Sequence, residues 1–103
     1  MTQRILLVSR DVPWALRLAL QWTTREPTQV VLLDGAVASA RPGHADHAAV
    51  AAAVEGGVVV AVHAAAAGRR ALGPGQLADG VKVVELDEIA DLISDASGQV
   101  MWL

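Results

Sequence analysis

Gly56-Gly57-Val58-Val59-Val60-Ala61-Val62-His63-Ala64-Ala65-Ala66-Ala67-Gly68-Arg69-Arg70 is the stretch from which the fold can be read. Its first half is a run of β-branched residues with no polar alternation, the pattern of a strand buried on both faces. Its second half is alanine-rich and ends in two arginines, so the chain is expected to turn from strand to helix at about His63. In open α/β sheets, ligands and chemistry sit at the carboxyl ends of strands. The residue standing at that crossing is a histidine.

Working outward, the same alternation of strand and helix covers the chain. Arg4 to Ser9 reads as the first strand, and Asp11-Val12-Pro13 as the start of a helix, with Asp11 as cap and Pro13 in the first turn, where its missing N–H costs nothing. Pro27 is expected to close that helix. Thr28 to Leu33 reads as a second buried strand punctuated by Asp34-Gly35. Ala36 to Ala40 has the composition of a short helix, interrupted by the loop Arg41-Pro42-Gly43-His44, and Ala45 to Val54 is a strong helix former by propensity.

Beyond His63, the alanine helix is expected to run to about Leu72, to break at Gly73-Pro74-Gly75, and to resume briefly before Gly80. Val81 to Leu86 reads as a fourth strand. Asp87-Glu88 then opens a last helix, with acids in the turn where the dipole favours them and Ile89, Leu92 and Ile93 facing inward. Gln99 to Leu103 is apolar to its last residue and reads as a short fifth strand. Strands alternating with helices imply an α/β fold, a mainly parallel five-stranded sheet with right-handed crossovers.

Composition narrows the function. With 103 residues, 53% of them hydrophobic, the chain is expected to form one compact domain over residues 1–103. Three Trp with no Phe or Tyr leave Val, Leu, Ile and Ala to fill the core. Without cysteine, the chain has no disulfide framework, no zinc-thiolate site and no cysteine nucleophile. The apolar run after Met1 to Arg4 is too short for a secretory core, and no segment approaches membrane-spanning length, so a cytoplasmic protein is expected. The net charge of -3 and the absence of a basic stripe argue against direct nucleic-acid binding.

Several residues invite a functional reading, each beside a plainer one. His63 at a strand's carboxyl end is placed to meet an anion or a partner's reactive group; the plainer reading is a histidine satisfying a neighbouring carbonyl. Asp34 and Gly35 follow a buried strand, where an Asp binds ribose or simply forms a turn. Arg69 and Arg70 offer an anion or partner contact, or complement a helix dipole. His44 and His47 stand at i, i+3, but with Asp46 they form an incomplete set for zinc, so no metal site is expected. Trp14, Leu18 and Trp22 fall at i, i+4, i+8 on the first helix, and that face or the terminal Met101-Trp102-Leu103 is expected to form a subunit interface; the plainer reading puts Trp14 and Trp22 under the loops after strands one and two, with the tail as an ordinary edge strand.

Four features make the chain resemble a known group. Ser9-Arg10 with Pro13-Trp14 follows strand one, Val30-Val31-Leu32-Leu33-Asp34-Gly35-Ala36-Val37 spans strand two and its exit, Val84-Glu85-Leu86-Asp87 precedes the last helix, and Gln99-Val100-Met101-Trp102 closes the chain. In order and spacing they resemble the DsrE/DsrF/DsrH-like sulfur-relay proteins, most nearly the DsrH or TusB type.

The resemblance implies a three-layer α/β/α domain with a five-stranded sheet. Such a domain would work in an oligomer that passes persulfide sulfur between partners, toward tRNA 2-thiouridine synthesis or sulfur oxidation. It also implies cysteine-bearing DsrE/DsrF-like homologues as partners and no cofactor. Catalytic members carry a cysteine at the end of strand three, ahead of an alanine-rich helix with an arginine pair. Here Ala65-Ala66-Ala67-Gly68-Arg69-Arg70 resembles that helix, and His63 or its neighbour takes the cysteine's place. An imidazole cannot carry a persulfide, so the chain is expected to be a subunit with no catalytic residue and no activity alone. Its ligand- or partner-binding candidates are Ser9, Asp34, Gly35 and His63 toward the strand-end rim, and Arg69 and Arg70 at the end of the following helix. The alternative is a stand-alone, homo-oligomeric domain of the same fold that binds a small ligand or regulates.

Overall fold

A computed structural model describes residues 3–96 and 99–103; Met1 and Thr2, where the reading of the N-terminus began, lie outside the described residues. Five parallel strands, β1 (Arg4–Val8), β2 (Thr28–Leu32), β3 (Val59–His63), β4 (Lys82–Val84) and β5 (Val100–Trp102), pair in the order β4-β3-β2-β1-β5. The chain steps outward from β1 to β4 and then crosses the whole sheet to place β5 on the far side of β1.

That path decides the layers. Right-handed crossovers in one direction place their helices on one face, and a crossover in the opposite direction places its helix on the other. α1 (Val12–Thr23), a 3-10 segment at Asp34–Ala40, α2 (His47–Glu55) and α3 (Ala64–Arg69) therefore share one face. α4 (Leu86–Asp95), which leads from β4 back to β5, packs on the other. The main core joins Leu6, Val8, Val30, Leu32, Val60 and Val62 from the sheet to the helices of the first face. The smaller core sets Ile5, Leu7, Val31, Ala61 and Val84 under Ile89 of α4.

Several boundaries differ from the sequence reading, each for a local reason. β4 stops at Val84, because Glu85 takes the N-cap position of α4 and Leu86 is already helical. Glu85 and Glu88 form a reciprocal capping box, in which Glu88 Oε1 accepts from the Glu85 N–H at 3.0 Å. α3 ends at Arg69 and not near Leu72: Ala71 turns left-handed (φ 56), and the N–H of Leu72 bonds back to the Ala67 carbonyl. The alanine segment before Arg41 is a 3-10 turn, and the resumption after Gly73 is a single 3-10 turn at Pro74–Gln76.

α1 ends at Thr23, ahead of Pro27. Asp11 does occupy its N-cap position, but in a left-handed conformation (φ 53) and without a side-chain capping bond. Ile93, expected to face inward, is exposed, as is Val59 at the start of β3; α4 alone does not cover its face of the sheet.

Candidate functional site

The register sets the carboxyl-end rim. Val8 pairs with Leu32 and Leu32 with Val62, so the next residues out, Ser9, Leu33 and His63, stand side by side at the ends of β1, β2 and β3. Adjacent strands lie about 4.8 Å apart, which puts Ser9 and His63 roughly 10 Å from one another across β2. His63 ends β3 in extended conformation, holds the N-cap position of α3 and is half-buried, without a side-chain capping bond. Asp34 follows Leu33 in a left-handed conformation (φ 50), which Asp tolerates better than most residues.

The two arginines part company. Arg70 lies beside Gly35, where an added Cβ would sit 3.9 Å from Arg70 Nη2, and its Nη1 donates to the Ala66 carbonyl at 3.2 Å, closing the last turn of α3. Arg41 Nη2 in turn donates to the Arg70 carbonyl at 3.2 Å. Arg70 thus ties α3 to the segment after β2, the structural role that arginines at a helix end commonly take. Arg69 is exposed. Ser9 is held as well: its hydroxyl donates to the Leu103 carbonyl at 3.3 Å, and its N–H to the same oxygen at 3.1 Å. With its hydroxyl bonded to a backbone carbonyl, Ser9 has no base to activate it, and no nucleophile–base pair forms on the rim among the described residues.

His44 and His47 do not act together. His44 Nδ1 accepts the Asp46 N–H at 3.0 Å, and Asp46 Oδ2 accepts the Ser39 hydroxyl at 3.2 Å, a network that fixes the loop ahead of α2. His47 opens α2 and, with Glu55 and Asp79, lines a cavity of about 390 Å³ beneath that helix. Among the described residues, no group of three or more His, Cys, Asp or Glu is placed to hold a metal ion.

The proposed interface residues differ in exposure. Trp14 is 50% and Trp102 70% exposed, and Met101 is also exposed, whereas Leu18 and Trp22 are half-buried. Register places Met101 with Leu6 on the α1 side of the sheet and Trp102 with Leu7 on the α4 side. Leu86, 68% exposed on α4, adds an apolar side chain that reading Val81 to Leu86 as a strand had concealed. Sequence reading also missed Gln29, a polar residue on the central strand β2 that lines a second cavity. A lone amide between Thr28 and the apolar run Val30–Leu32 was the available signal. No helix among the described residues is long and apolar enough to cross a membrane.

No protein-family model matches the sequence, and no curated protein does. Solved structures do match. The crystal structure of the ychN protein from E. coli superposes with a TM-score of 0.86 at 18% identity, over the whole of both chains. MTH1491 from Methanobacterium thermoautotrophicum, a protein of unknown function, superposes with a TM-score of 0.77 at 13% identity, over all of this chain and 98% of that one. At such identities the likeness speaks to architecture, and the architecture is the five-stranded parallel α/β fold of the DsrE-like proteins.

Proposed function

We propose that this chain is a cysteine-free, non-catalytic subunit of a sulfur-relay complex of the TusB/DsrH kind, assembled with cysteine-bearing DsrE/DsrF-like homologues. The observation that carries the reading is His63, which ends β3 and opens α3, where the resemblance puts the persulfide cysteine of catalytic members. Persulfide transfer requires a thiolate to attack the outer sulfur of a persulfide, and a chain without cysteine has no group to receive it. What remains to it is to shape the site of a neighbour. A half-buried imidazole on the rim can hydrogen-bond a partner's persulfide or the backbone beside it. Exposed apolar side chains such as Trp102 and Leu86 supply surface for such a partner. The acceptor pathway belongs to the same proposal: tRNA 2-thiouridine synthesis or sulfur oxidation.

Co-expression with the cysteine-bearing DsrE/DsrF-like proteins of the same genome, followed by native mass spectrometry, tests it. A stoichiometric hetero-oligomer, with sulfur transfer from the partner slowed when this chain is omitted, is the expected result. A chain that stays apart from every such protein and leaves transfer unchanged would sink the proposal.

A further inference from the structure

Two helices on opposite faces of the sheet each carry an apolar stripe that the described chain leaves uncovered. On α4, where each residue advances about 100° around the axis, Ile89 is buried against the sheet and Leu92 packs beside it. The apolar arc does not stop there. It continues through Ile93, Leu86 and Ala90, all three exposed, at i+7, i and i+4 along one stripe of the helix. Trp102, on the same face of the sheet, is exposed as well. Asp87 and Asp91 border the stripe one turn apart. One oxygen of Asp87 accepts the Glu88 N–H at 3.0 Å, which leaves the second for a partner.

α1 presents the opposite charge. Val12, Ala15, Leu16 and Ala19 are its buried side, so Trp14, Arg17, Leu18 and Gln21 make its outer face, continued by Arg25 just past the helix. Of these, Leu18 is half-buried and the others are exposed. Among the described residues, neither Arg17 and Arg25 nor Asp87 and Asp91 take part in an ion pair. Trp14 to Gln21 and Leu86 to Ile93 both span i to i+7, a stripe about 10 Å long at 1.5 Å per residue. The two faces thus match in length and in apolar character and are opposite in charge, guanidinium groups beside an indole on one and carboxylates beside aliphatic side chains on the other.

We infer that a second copy of this chain covers each stripe, the α1 face of one molecule docking on the α4 face of the next. Charge selects this pairing. α4 against α4 would set aspartates against aspartates, and α1 against α1 would set arginines against arginines, whereas the unlike contact pairs Arg17 and Arg25 with Asp87 and Asp91. Trp14 packs between Leu86 and Ile93, where the small Ala90 leaves room for the ring. Because α1 and α4 lie on opposite faces of one sheet, the contact is head-to-tail and not two-fold. Each molecule added keeps one face open for the next until a ring closes. The inference concerns the chain by itself and is independent of the sulfur-relay reading, whose test requires other proteins.

Sedimentation velocity of the full chain alone, at micromolar concentration and low ionic strength, tests the inference. Assemblies larger than a dimer are expected, with association weakened about tenfold when salt is raised to about 0.5 M. Arg17→Glu with Arg25→Glu should leave a monomer, and so should Asp87→Lys with Asp91→Lys, each with an unchanged far-UV spectrum because all four positions are exposed. A mixture of the two variants should assemble again, since each supplies the charge that the other has lost. Ala90→Arg, which leaves the first turn of α4 intact, tests the same face even if the aspartate variant fails to fold. A monomeric parent chain, a mass that stays at a dimer as concentration rises, or an arginine variant that associates as the parent does would overturn the inference. Failure of the mixed variants to assemble would overturn the charge pairing on which it rests.

Discussion

The guanidinium of Arg4 lies 4.4 Å from the centroid of the Trp22 ring while it donates to Glu26 at 3.2 Å. One side chain thus joins the start of β1 to the end of α1 and to the loop before β2. Trp22 packs on the edge of the main core beneath it, so this tryptophan has an intramolecular role that requires no second subunit. Trp22→Ala is expected to cost about 2 kcal/mol, below the usual range for a fully buried Trp because the ring is half-exposed. Arg4→Ala should cost about 1 kcal/mol through the lost stacking and ion pair. Urea unfolding of both variants checks the order of the two effects.

Gly80 is held at φ 83, where an added Cβ would meet Val54 Cγ1 at 2.6 Å. Gly80→Ala therefore combines an unfavourable backbone conformation with a clash against α2, and a loss of about 2 kcal/mol is expected. Gly57 also has a positive φ but open space around it, so Gly57→Ala should cost about 1 kcal/mol from the backbone alone. Equal melting temperatures for the two variants would show that the close approach to Val54 is immaterial.

Asp11 and Asp34 take left-handed conformations at the exits of β1 and β2, and both are exposed. Replacement of either by Gly is expected to leave stability within about 0.5 kcal/mol, as relief of strain offsets the added freedom of the unfolded chain. Replacement by Val should cost about 2 kcal/mol, because a β-branched residue is a genuine outlier there. Thermal unfolding of the four variants checks the contrast.

α4 is the one helix on its face of the sheet among the described residues, and Glu85 sets its start. Glu85→Ala removes the side chain that accepts from the Glu88 N–H, at a cost of about 1 kcal/mol. Hydrogen exchange should speed up in residues 86–95 well before the central strands respond. Uniform acceleration across the sheet would show instead that α4 and the core open together.

Trp102, Leu86 and Trp14 present apolar surface on β5, α4 and α1. Light scattering at micromolar concentration is expected to report an oligomer, and Trp102→Glu with Leu86→Glu to lower its mass while the far-UV spectrum stays unchanged. Burial of such side chains against a second chain is worth several kcal/mol when the patch is well packed. A monomer mass for the parent chain would exclude self-association through this surface.

The sequence alone determined the kind of fold. Apolar runs at Ile5–Val8, Val30–Leu33 and Val58–Val62, separated by segments of helical pattern, point to buried parallel strands with crossover helices. The placement of His63 at a strand's end was legible for the same reason, since composition changes from β-branched to alanine at that residue.

Strand order was not legible, because local pattern carries no record of which non-neighbouring strands pair. That β5 returns beside β1, and so sends α4 alone across the second face, is decided by long-range packing and crossover handedness. Both the exposure of Leu86 and the groove at Gln29 follow from that single return. Arg4 with Trp22, Ser9 with Leu103 and Arg70 with Gly35 likewise became neighbours only in three dimensions. Each was an isolated residue in the chain until the sheet brought its partner alongside.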